Sequence, residues 1–421
     1  MPPTTNFSLQ SLSINRAFGS PLFSSSLSTR ETRFYMKKSI FSDIFTNAIY
    51  SIRNMNLREC NFNKFTSSVV RVDNMDSVKM FFSSSVLYEA NEEYSFSMCV
   101  FQKTKTSDSG GAICILSSSG VFSAKSSGFT ICLSQNNGGG ISFTGSKFDI
   151  EKCCFLGCLA MQHGQAVDMS GDDGLQGRIE VSSIEQCSPI KSPGHSQSVF
   201  IRHGTNSLVS LNSSFNHVVD MGSCLCVAHN KGFSLNFCTY IGCTGANGFW
   251  FHQFSNNDMF TSCNIIKLSS NKELGMMTFE NSSVNFNSFV FIQNECPVYF
   301  ISGSLRLILC SFDVKKFSKI AVGCSLDIID TAFGVKYLRP RPLPPFITWE
   351  CWAMGMPSPT PSKSLVPIEE RSNSSINGIY VFAFLLFAGF LSGYGGFYFM
   401  NKTSDFQAVI DTRLSNLEIE Q

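Results

Sequence analysis

Hydrophobic and polar positions follow a pattern that is written three times, without a gap, between Cys99 and Met169. Each copy opens on a phenylalanine, reaches a glycine about nine residues later, and continues with a small residue and an alternating apolar pair. The phenylalanines are Phe101, Phe129 and Phe155, and the glycines are Gly110, Gly138 and Gly164. Apolar residues at every second position are typical of a β-strand. The pattern therefore predicts three copies of one strand-rich unit.

The anchor residue of this unit, a phenylalanine or another large apolar residue, recurs along most of the chain. Its spacing averages about 24 residues, which is in the range of one unit of a solenoid. The predicted anchors are Phe41, Phe62, Phe82, Phe101, Phe129, Phe155, Ile184, Phe215, Tyr240, Ile265, Phe289, Phe312 and Phe333. Polar, glycine-containing segments separate the apolar runs and leave no room for a helix. The series predicts about 13 coils of two or three strands each.

A single unit of this kind cannot bury its own apolar face, but copies stacked in register can, with like residues above like. We therefore predict an all-β chain that folds as a parallel β-helix over residues 39–335. The glycines suit the corners of a coil, because glycine adopts backbone conformations closed to other residues. A leucine-rich repeat needs a Leu-x-x-Leu-x-Leu-x-x-Asn run, which is absent, and a β-sandwich would not explain the fixed phase.

Short motifs in the repeat resemble those of polymorphic outer-membrane (Pmp-like) proteins. More closely, they resemble the large surface-protein families of trichomonad protists. The matching segments are 110–113, 138–141, 155–158, 240–243 and 291–294. The resemblance implies a right-handed β-helix on the cell surface, followed by one C-terminal membrane span. One departure is that the asparagine of the Phe-x-x-Asn motif is mostly cysteine here.

Cysteine is frequent, with 17 residues, and most of them fall in repeat register. Those two positions before an anchor are Cys60, Cys99, Cys153, Cys238, Cys263 and Cys310, and those three positions after an anchor are Cys132, Cys158, Cys187 and Cys243. This register favours buried thiols stacked in ladders. Disulfides between neighbouring coils, among Cys132, Cys158 and Cys187, are the alternative, and the odd total leaves one thiol unpaired within the chain. Without paired Cys-x-x-Cys motifs we predict no metal and no cofactor.

Composition excludes one class of partner. The formal net charge is +1, charged residues are 15% of the chain, and no basic cluster stands out. A nucleic-acid binder would need such a cluster, so no nucleic acid is expected as a partner. The 41 phenylalanines are accounted for by a stacked aromatic core.

Segments of different composition flank the predicted β-helix. We predict a disordered lead or N-terminal cap over 1–38, a Pro/Ser-rich spacer over 336–377, a membrane span over 378–400 and a short tail over 401–421. More than half of the 14 prolines lie in the spacer, which also holds Trp349 and Trp352 as a possible cap of the last coil.

The predicted span is the strongest membrane signal in the chain. Residues 378–400 are uncharged and mostly apolar, and about 20 such residues cross a bilayer as an α-helix. Gly389 and Gly393 match the small-xxx-small motif of paired spans, so they are candidates for a weak homodimer.

The side of the membrane that the β-helix faces is left open by the sequence. Lysine and arginine flank the span equally, and no apolar run of signal-peptide length lies in residues 1–38, which favours a tail-anchored protein with a cytosolic β-helix. The resemblance implies the outside of the plasma membrane, which we favour. In that orientation Asn212, Asn281 and Asn373 are glycosylation candidates.

The expected function is non-enzymatic: adhesion, recognition or antigen display, with glycans or proteins of host or neighbouring cells as partners. The alternative is a carbohydrate-active β-helix enzyme, which would need paired carboxylates across a sugar bond. Asp172 and Asp173, with Arg202 or His203, are the best candidates. However, both acids lie in a glycine-flanked segment, where aspartate is a common turn residue.

Overall fold

The computed structural model describes residues 5–18, 32–50, 54–73, 92–188, 196–254, 258–270, 276–294, 298–300, 303–315 and 324–343. These residues all belong to one of the two units of the chain, Met1–Pro359. They form strands, turns and bends, and none of them is helical. The prediction of an all-β structure is confirmed for this part of the chain.

Three long sheets contain almost all of the described strands. Sheet 1 has 13 strands. In sheet order they are Thr5–Gln10, Thr32–Lys37, Met55–Arg58, Glu92–Ser97, Gly120–Lys125, Lys147–Glu151, Gln176–Glu180, Thr205–Val209, Gly232–Asn236, Asp258–Thr261, Ser282–Asn287, Gly303–Ile308 and Cys324–Ile329.

Sheet 2 has 14 strands, two of which, Leu133–Ser134 and Leu159–Ala160, branch off beside Val100–Thr106. Its main path is Ser13–Asn15, Ile40–Ile44, Asn61–Phe65, Val100–Thr106, Gly128–Thr130, Cys154–Leu156, Ser183–Glu185, Asn212–Ser214, Thr239–Ile241, Asn264–Ile266, Val290–Ile292 and Ser311–Phe312.

Sheet 3 has 10 strands and contacts the core from a third side. In sheet order they are Ile49–Tyr50, Val70–Val72, Ile113–Leu116, Ile141–Thr144, Val167–Ser170, Val199–Arg202, Leu225–Ala228, Phe249–His252, Met277–Glu280 and Val298–Phe300. A separate pair consists of Thr244–Gly245 and Ser269–Ser270.

The chain visits the three sheets in the same order again and again, and neighbouring strands within each sheet are parallel. One such coil consists of the strands Lys147–Glu151, Cys154–Leu156 and Val167–Ser170. Parallel strands about 4.8 Å apart stack each coil on the next. This arrangement is consistent with a β-helix, or solenoid, built from repeated units.

The core consists of side chains that point inward from all three sheets. In sheet 2, Phe101, Phe129 and Phe155 are fully buried and pair directly along the stack. Their ring centroids lie 5.0 Å and 4.7 Å apart, with the rings nearly parallel. Sheet 3 contributes aliphatic ladders such as Ile113, Ile141 and Val167. Because the inward side chains of each coil pack on those of the next coil, the core is a continuous column.

Two predicted anchors are wrong, and a third, Phe82, lies outside the described residues. Phe62 and Phe101, the predicted anchors on either side of Phe82, pair directly with each other. Ile184 pairs with Ser213, and the predicted anchor Phe215 is 44% exposed. Ile265 pairs with Phe291, so Phe289 lies two residues before the true anchor.

The stack also begins earlier than predicted. Thr5–Gln10 pairs with Thr32–Lys37, and Ser13–Asn15 pairs with Ile40–Ile44. These strands belong to the segment 1–38, for which the sequence predicts a disordered lead or cap. They form an additional coil with Ile14 at the anchor position, because Ile14 pairs with Phe41.

The corner between sheets 1 and 2 is built the same way in every described coil. One residue there has a positive φ, such as Lys152 at 52° or Ser126 at 48°. The next residue is usually cysteine, serine or threonine, and its side chain donates to a backbone carbonyl two residues earlier. Thus Cys153 Sγ lies 3.4 Å from the carbonyl oxygen of Glu151, and Ser127 Oγ lies 2.9 Å from that of Lys125. The small residue predicted here is therefore a hydrogen-bond donor.

The thiols are mostly free. Thirteen cysteines of the described chain are free and buried, among them Cys132, Cys158 and Cys187. The alternative of disulfides among these three neighbours is therefore wrong. Cys154 is disulfide-bonded, which the sequence did not predict.

The predicted span 378–400, the spacer beyond residue 343 and the tail lie outside the described residues. Within the described residues, no helix is long and apolar enough to cross a bilayer.

Candidate functional site

The outer face of sheet 3 holds a group of ionic and aromatic side chains that we call the sheet 3 surface. In each strand the flanking residues point into the core, so the residue between them points outward. The pairing register aligns these outward residues in one row: Arg71, Cys114, Ser142, Asp168, Phe200, Cys226, Trp250 and Thr278. A second row, at the strand ends, contains Ser170, Arg202, Ala228, His252 and Glu280.

Asp168 is a buried carboxylate in the middle of this surface. It is 3% exposed, and its Oδ1 atom has no hydrogen-bond partner in the described structure. The nearest cation is Arg202, whose Nη2 lies 3.8 Å from Asp168 Oδ1. Burial raises the pKa of Asp168 to about 6, although Arg202, His163 and a hydrogen bond with Ser142 act in the opposite direction. The carboxyl group can therefore be protonated in a mildly acidic medium.

Aromatic rings lie directly beside this carboxylate. The guanidinium carbon of Arg202 lies 4.9 Å from the ring centroid of Phe200, and the ring of His163 lies 5.2 Å from Phe200. His163 Nδ1 is 2.8 Å from Gln197 Oε1, which fixes the imidazole. Phe200 packs in a small cluster with Cys226, Ala228 and the partly buried Trp250. Phe200 and Asp168 are only 7% and 3% exposed, whereas Trp250 and Arg202 are partly exposed, so Trp250 is the ring of this row that solvent reaches.

Three histidines form a ladder at the corner between sheet 3 and sheet 1. The ring centroids of His203 and His229 are 5.3 Å apart, and those of His229 and His252 are 4.9 Å apart. Acidic residues flank the ladder: Asp173 Oδ1 lies 3.6 Å from His203 Nδ1, and Glu280 Oε2 lies 2.9 Å from His252 Nδ1. The described residues contain no group of three or more such side chains that could hold a metal ion.

The other end of the sheet 3 surface is fixed by Arg71. Its Nη1 lies 2.6 Å from Asp108 Oδ2, and its Nε lies 2.9 Å from Asp73 Oδ1. Burial raises the pKa of Asp108, but the hydrogen bond from Arg71 contributes to a net lowering of this pKa. Asp108 also accepts from Asn136 Nδ2 at 3.1 Å, so this end is a closed network of polar groups.

The residues predicted for the repeat lie in the core and at the corners rather than on this surface. Phe101, Phe129, Phe155, Cys132 and Cys158 are fully buried. Gly110, Gly138 and Gly164 have φ between 64° and 69°, where the chain enters sheet 3. In that region of φ, side chains other than glycine are disfavoured.

The other predicted positions are scattered. Asn212 lies on the outer face of sheet 2 and is partly exposed, and Asn281 is exposed at a corner with a φ of 50°. Asn373, Gly389 and Gly393 lie outside the described residues. The structure therefore brings none of the glycosylation candidates to the sheet 3 surface.

The two acids proposed for an enzyme have different hydrogen-bond partners. Asp172 Oδ1 accepts the backbone N–H of Gly174 at 2.9 Å, as expected of a turn residue. Asp173 is exposed, and a hydrogen bond from Lys231 lowers its pKa. The buried acid, Asp168, was missed by the sequence analysis. The sequence does contain a signal, because Asp168 stands between the apolar residues Val167 and Met169. The same pattern would arise for an exposed acid and for a buried one, so it does not reveal that Asp168 is buried.

Comparison with protein-family models, with curated proteins and with solved structures finds no match to this chain.

Proposed function

We propose that this chain is a right-handed parallel β-helix, anchored by a span at 378–400, whose sheet 3 surface binds glycans outside the plasma membrane. The observation that carries the proposal is the partly exposed ring of Trp250, with the partly exposed Arg202 and His252 on the same face and the buried Asp168 and Phe200 in the same row. A sugar ring offers an apolar face and a rim of hydroxyl groups. Aromatic rings pack against the first, and carboxylate, guanidinium and imidazole groups hydrogen-bond the second.

The architecture supports a binding role because its surface is rigid. Each outward side chain is held by strand pairing on both sides, and the coils below it are filled with stacked aromatic rings. A site of this kind loses little conformational entropy on binding. Side chains on successive coils are about 4.8 Å apart, so they suit an extended ligand with a repeating structure.

Binding is tested with the full-length protein in detergent on a panel of plant, mucosal and cell-surface glycans. Loss of a ring–sugar contact worth about 1.4 kcal/mol corresponds to about tenfold in affinity, so Trp250→Ala should weaken binding by about that factor. Phe237→Ala is the matched control, because Phe237 is 44% exposed but lies at the corner between sheets 1 and 2. Absence of any bound glycan, or equal loss in both variants, would contradict the proposal.

Membrane orientation is tested separately. Protease added to intact cells should remove an N-terminal tag if the β-helix is outside. Asn212→Gln and Asn281→Gln should then each reduce the mobility shift on glycosidase treatment. Full protection of the tag until detergent is added would instead favour the tail-anchored, cytosol-facing scaffold.

A carbohydrate-active enzyme is the second candidate, and Asp168 is the observation that favours it. Its raised pKa suits a general acid. A hydrolase would release reducing ends from a bound glycan, and Asp168→Asn would abolish the release while Trp250→Ala would mainly weaken binding. A binding protein would release none.

A further inference from the structure

Four rings form a continuous strip on the outside of the stack. Trp250 and His252 lie on one strand of sheet 3, Phe249–His252, and their ring centroids are 6.0 Å apart. The centroid distances from His252 to His229 and from His229 to His203 are 4.9 Å and 5.3 Å. We call these four residues the histidine strip. It runs along the axis of the stack, because the three histidines come from three successive coils.

The rings of the strip are open to solvent. The side chains of His203 and His252 are 38% and 21% exposed, and His229 is exposed as well. His229 lies at the corner after Leu225–Ala228 with a φ of 57°. Among the described residues, nothing hydrogen-bonds or ion-pairs with its imidazole. The central ring of the strip is therefore available to a ligand.

Charged groups of both signs flank the strip. The cations are Arg202, which lies over the ring of Phe200, and Lys231. The acids are Asp173, whose Oδ2 lies 3.2 Å from Lys231 Nζ, and Glu280, which lies beside His252. These two cations and two acids cancel, so the charge of the strip depends on its histidines. With protonated histidines the strip has an excess of positive charge.

We propose that the histidine strip binds the carboxylate or sulfate groups of an acidic glycan, and that it does so when its histidines are protonated. The inference rests on the proposed glycan-binding function and names the class of glycan. Imidazolium, guanidinium and ammonium groups all donate charge-assisted hydrogen bonds to carboxylate and sulfate oxygens. Histidine ordinarily titrates near pH 6.5, so this charge arises in a mildly acidic medium.

The spacing of the rings couples binding to protonation. Three imidazolium rings with centroids about 5 Å apart repel one another, and an anion beside them reduces that repulsion. Protonation therefore favours binding of the anion, and binding of the anion favours protonation by the same factor. Trp250 packs against an apolar sugar face at one end of the strip, which leaves the acidic groups of the following sugars beside the histidines.

The first test compares three polymers: polygalacturonate, dextran sulfate and neutral dextran. Their affinity for the full-length protein in detergent is measured at pH 7.5 and at pH 5.5. We expect the acidic polymers to bind about tenfold more tightly at pH 5.5, and dextran to show no such rise. The tighter of the two acidic polymers identifies the preferred group, carboxylate or sulfate. Calorimetry at pH 6.5, in buffers of different ionisation heat, should show uptake of protons on binding.

Variants of the central ring assign the effect to the strip. His229→Asn should remove most of the rise, and asparagine suits the positive φ at this corner. His229→Lys should strengthen binding at pH 7.5, because it supplies a permanent cation. His217→Asn is the matched control, since His217 lies between sheets 2 and 3, hydrogen-bonded to Thr244, and this variant should keep the rise. Asp168 also loses its charge near pH 6, so the His229 variants separate the two groups.

Several results would overturn the inference: no binding of either acidic polymer at pH 5.5, no uptake of protons, or a rise that His229→Asn retains. The proposed function fails separately. Binding of neutral glycans that depends on Trp250 but not on pH or His229 keeps the proposed function and rejects the acidic ligand. Binding of acidic glycans that depends on His229 but not on Trp250 keeps the acidic ligand and rejects the role of the Trp250 ring.

Discussion

At the scale of single residues, the corners of the coil explain the cysteine content better than packing alone. Cysteine, serine and threonine alternate along the position after the positive-φ residue, and each donates to the carbonyl two residues earlier. A thiol is a weaker donor than a hydroxyl but tolerates full burial, so the two exchange freely in this position.

The corner donor at residue 153 gives the first prediction. Cys153 Sγ lies 3.3 Å from the carbonyl oxygen of Ala124 and 3.4 Å from that of Glu151. Cys153→Ser should be nearly neutral in urea unfolding, because Ser127 and Ser182 occupy the same position in the neighbouring coils. Cys153→Ala should lower the free energy of unfolding by about 1 kcal/mol more than Cys153→Ser, since it removes the donor. Ser182→Ala should cost as much, and an alanine variant as stable as the serine variant would refute the donor role.

Asp168 gives a pH-dependent prediction. Its pKa is about 6 in the folded protein, above the value of about 3.9 for an unfolded aspartate, so the folded chain retains a proton that the unfolded chain has lost. The free energy of unfolding therefore falls as pH rises from about 4 to about 6 and stays low above that range. Asp168→Asn should be more stable than wild type by about 1 kcal/mol or more at pH 7.5, and equally stable near pH 4.

The control for this experiment is Asp173→Asn. Lys231 lowers the pKa of the exposed Asp173, so this variant should lose a little stability at pH 7.5 rather than gain it. Urea unfolding of both variants at pH 7.5 and near pH 4 measures these changes in the free energy of unfolding. A gain for Asp168→Asn that is the same at both pH values would mean that packing, not the charge, is the cause.

At the scale of the strand and its corner, two glycines with nearly the same φ have different roles. Gly138, at 64°, lies where the chain enters sheet 3, and a Cβ atom there would be 2.2 Å from the carbonyl oxygen of Ile141. Gly157, at 61°, follows a strand of sheet 2, and the nearest atom to such a Cβ, on Ile131, is 3.7 Å away. Only Gly138 is required by close contact as well as by φ.

Alanine substitutions separate the two roles. Gly157→Ala should cost about 1 kcal/mol, the penalty of a positive φ alone. Gly138→Ala should cost several times more, because the backbone of Ile141 must move out of pairing. Thermal denaturation of the two variants measures the difference, and equal costs would show that the backbone near Ile141 yields easily.

The corrected register makes a prediction for the anchors. Phe155→Ala should lower the free energy of unfolding by about 3–5 kcal/mol, because it leaves a cavity in a closed column. Phe215→Ala should change it by less than about 0.5 kcal/mol, because Phe215 is 44% exposed and Ser213 holds the anchor position. A large loss in Phe215→Ala, measured by urea unfolding, would restore the register predicted from the sequence.

The error at Phe215 shows that a two-residue period cannot by itself identify the anchor of a coil. Ser213 and Phe215 differ by two positions, so both satisfy the alternation, and side-chain size alone favours Phe215 as the anchor. Phe289 and Phe291 are ambiguous in the same way. The corner decides between Ser213 and Phe215, because Phe215 has a φ of 54° and leaves the strand. Nothing in the apolar pattern encodes that corner, because lysine, isoleucine, phenylalanine and glycine all occupy the equivalent position.

At the scale of the whole molecule, stacking was predictable and contacts between coils were not. Repeated phenylalanines indicate parallel coils, since only stacking buries them all. Asp168 meets Arg202, and Asn264 forms two hydrogen bonds with the backbone of Arg341. Both contacts depend on the number of residues in each turn. The distance along the chain from Phe41 to Phe62 is 21 residues and from Phe62 to Phe101 is 39, although both pairs are neighbours. Which side chains meet on the surface of such a scaffold therefore depends on the pairing register, which the repeated apolar pattern does not specify.

The segment 334–343 follows the last coil and brings Arg341 beside Asn264, and this contact has a mechanical consequence. Tension applied to the chain beyond Leu343 does not reach the last coil first, because the backbone of Arg341 is hydrogen-bonded twice to Asn264. The force enters the stack two coils inside its C-terminal end, and those two bonds resist it together. The strands that would otherwise peel away one at a time, Gly303–Ile308 and Cys324–Ile329, are shielded until the contact with Asn264 breaks. The end of the stack is thereby protected against unravelling under shear.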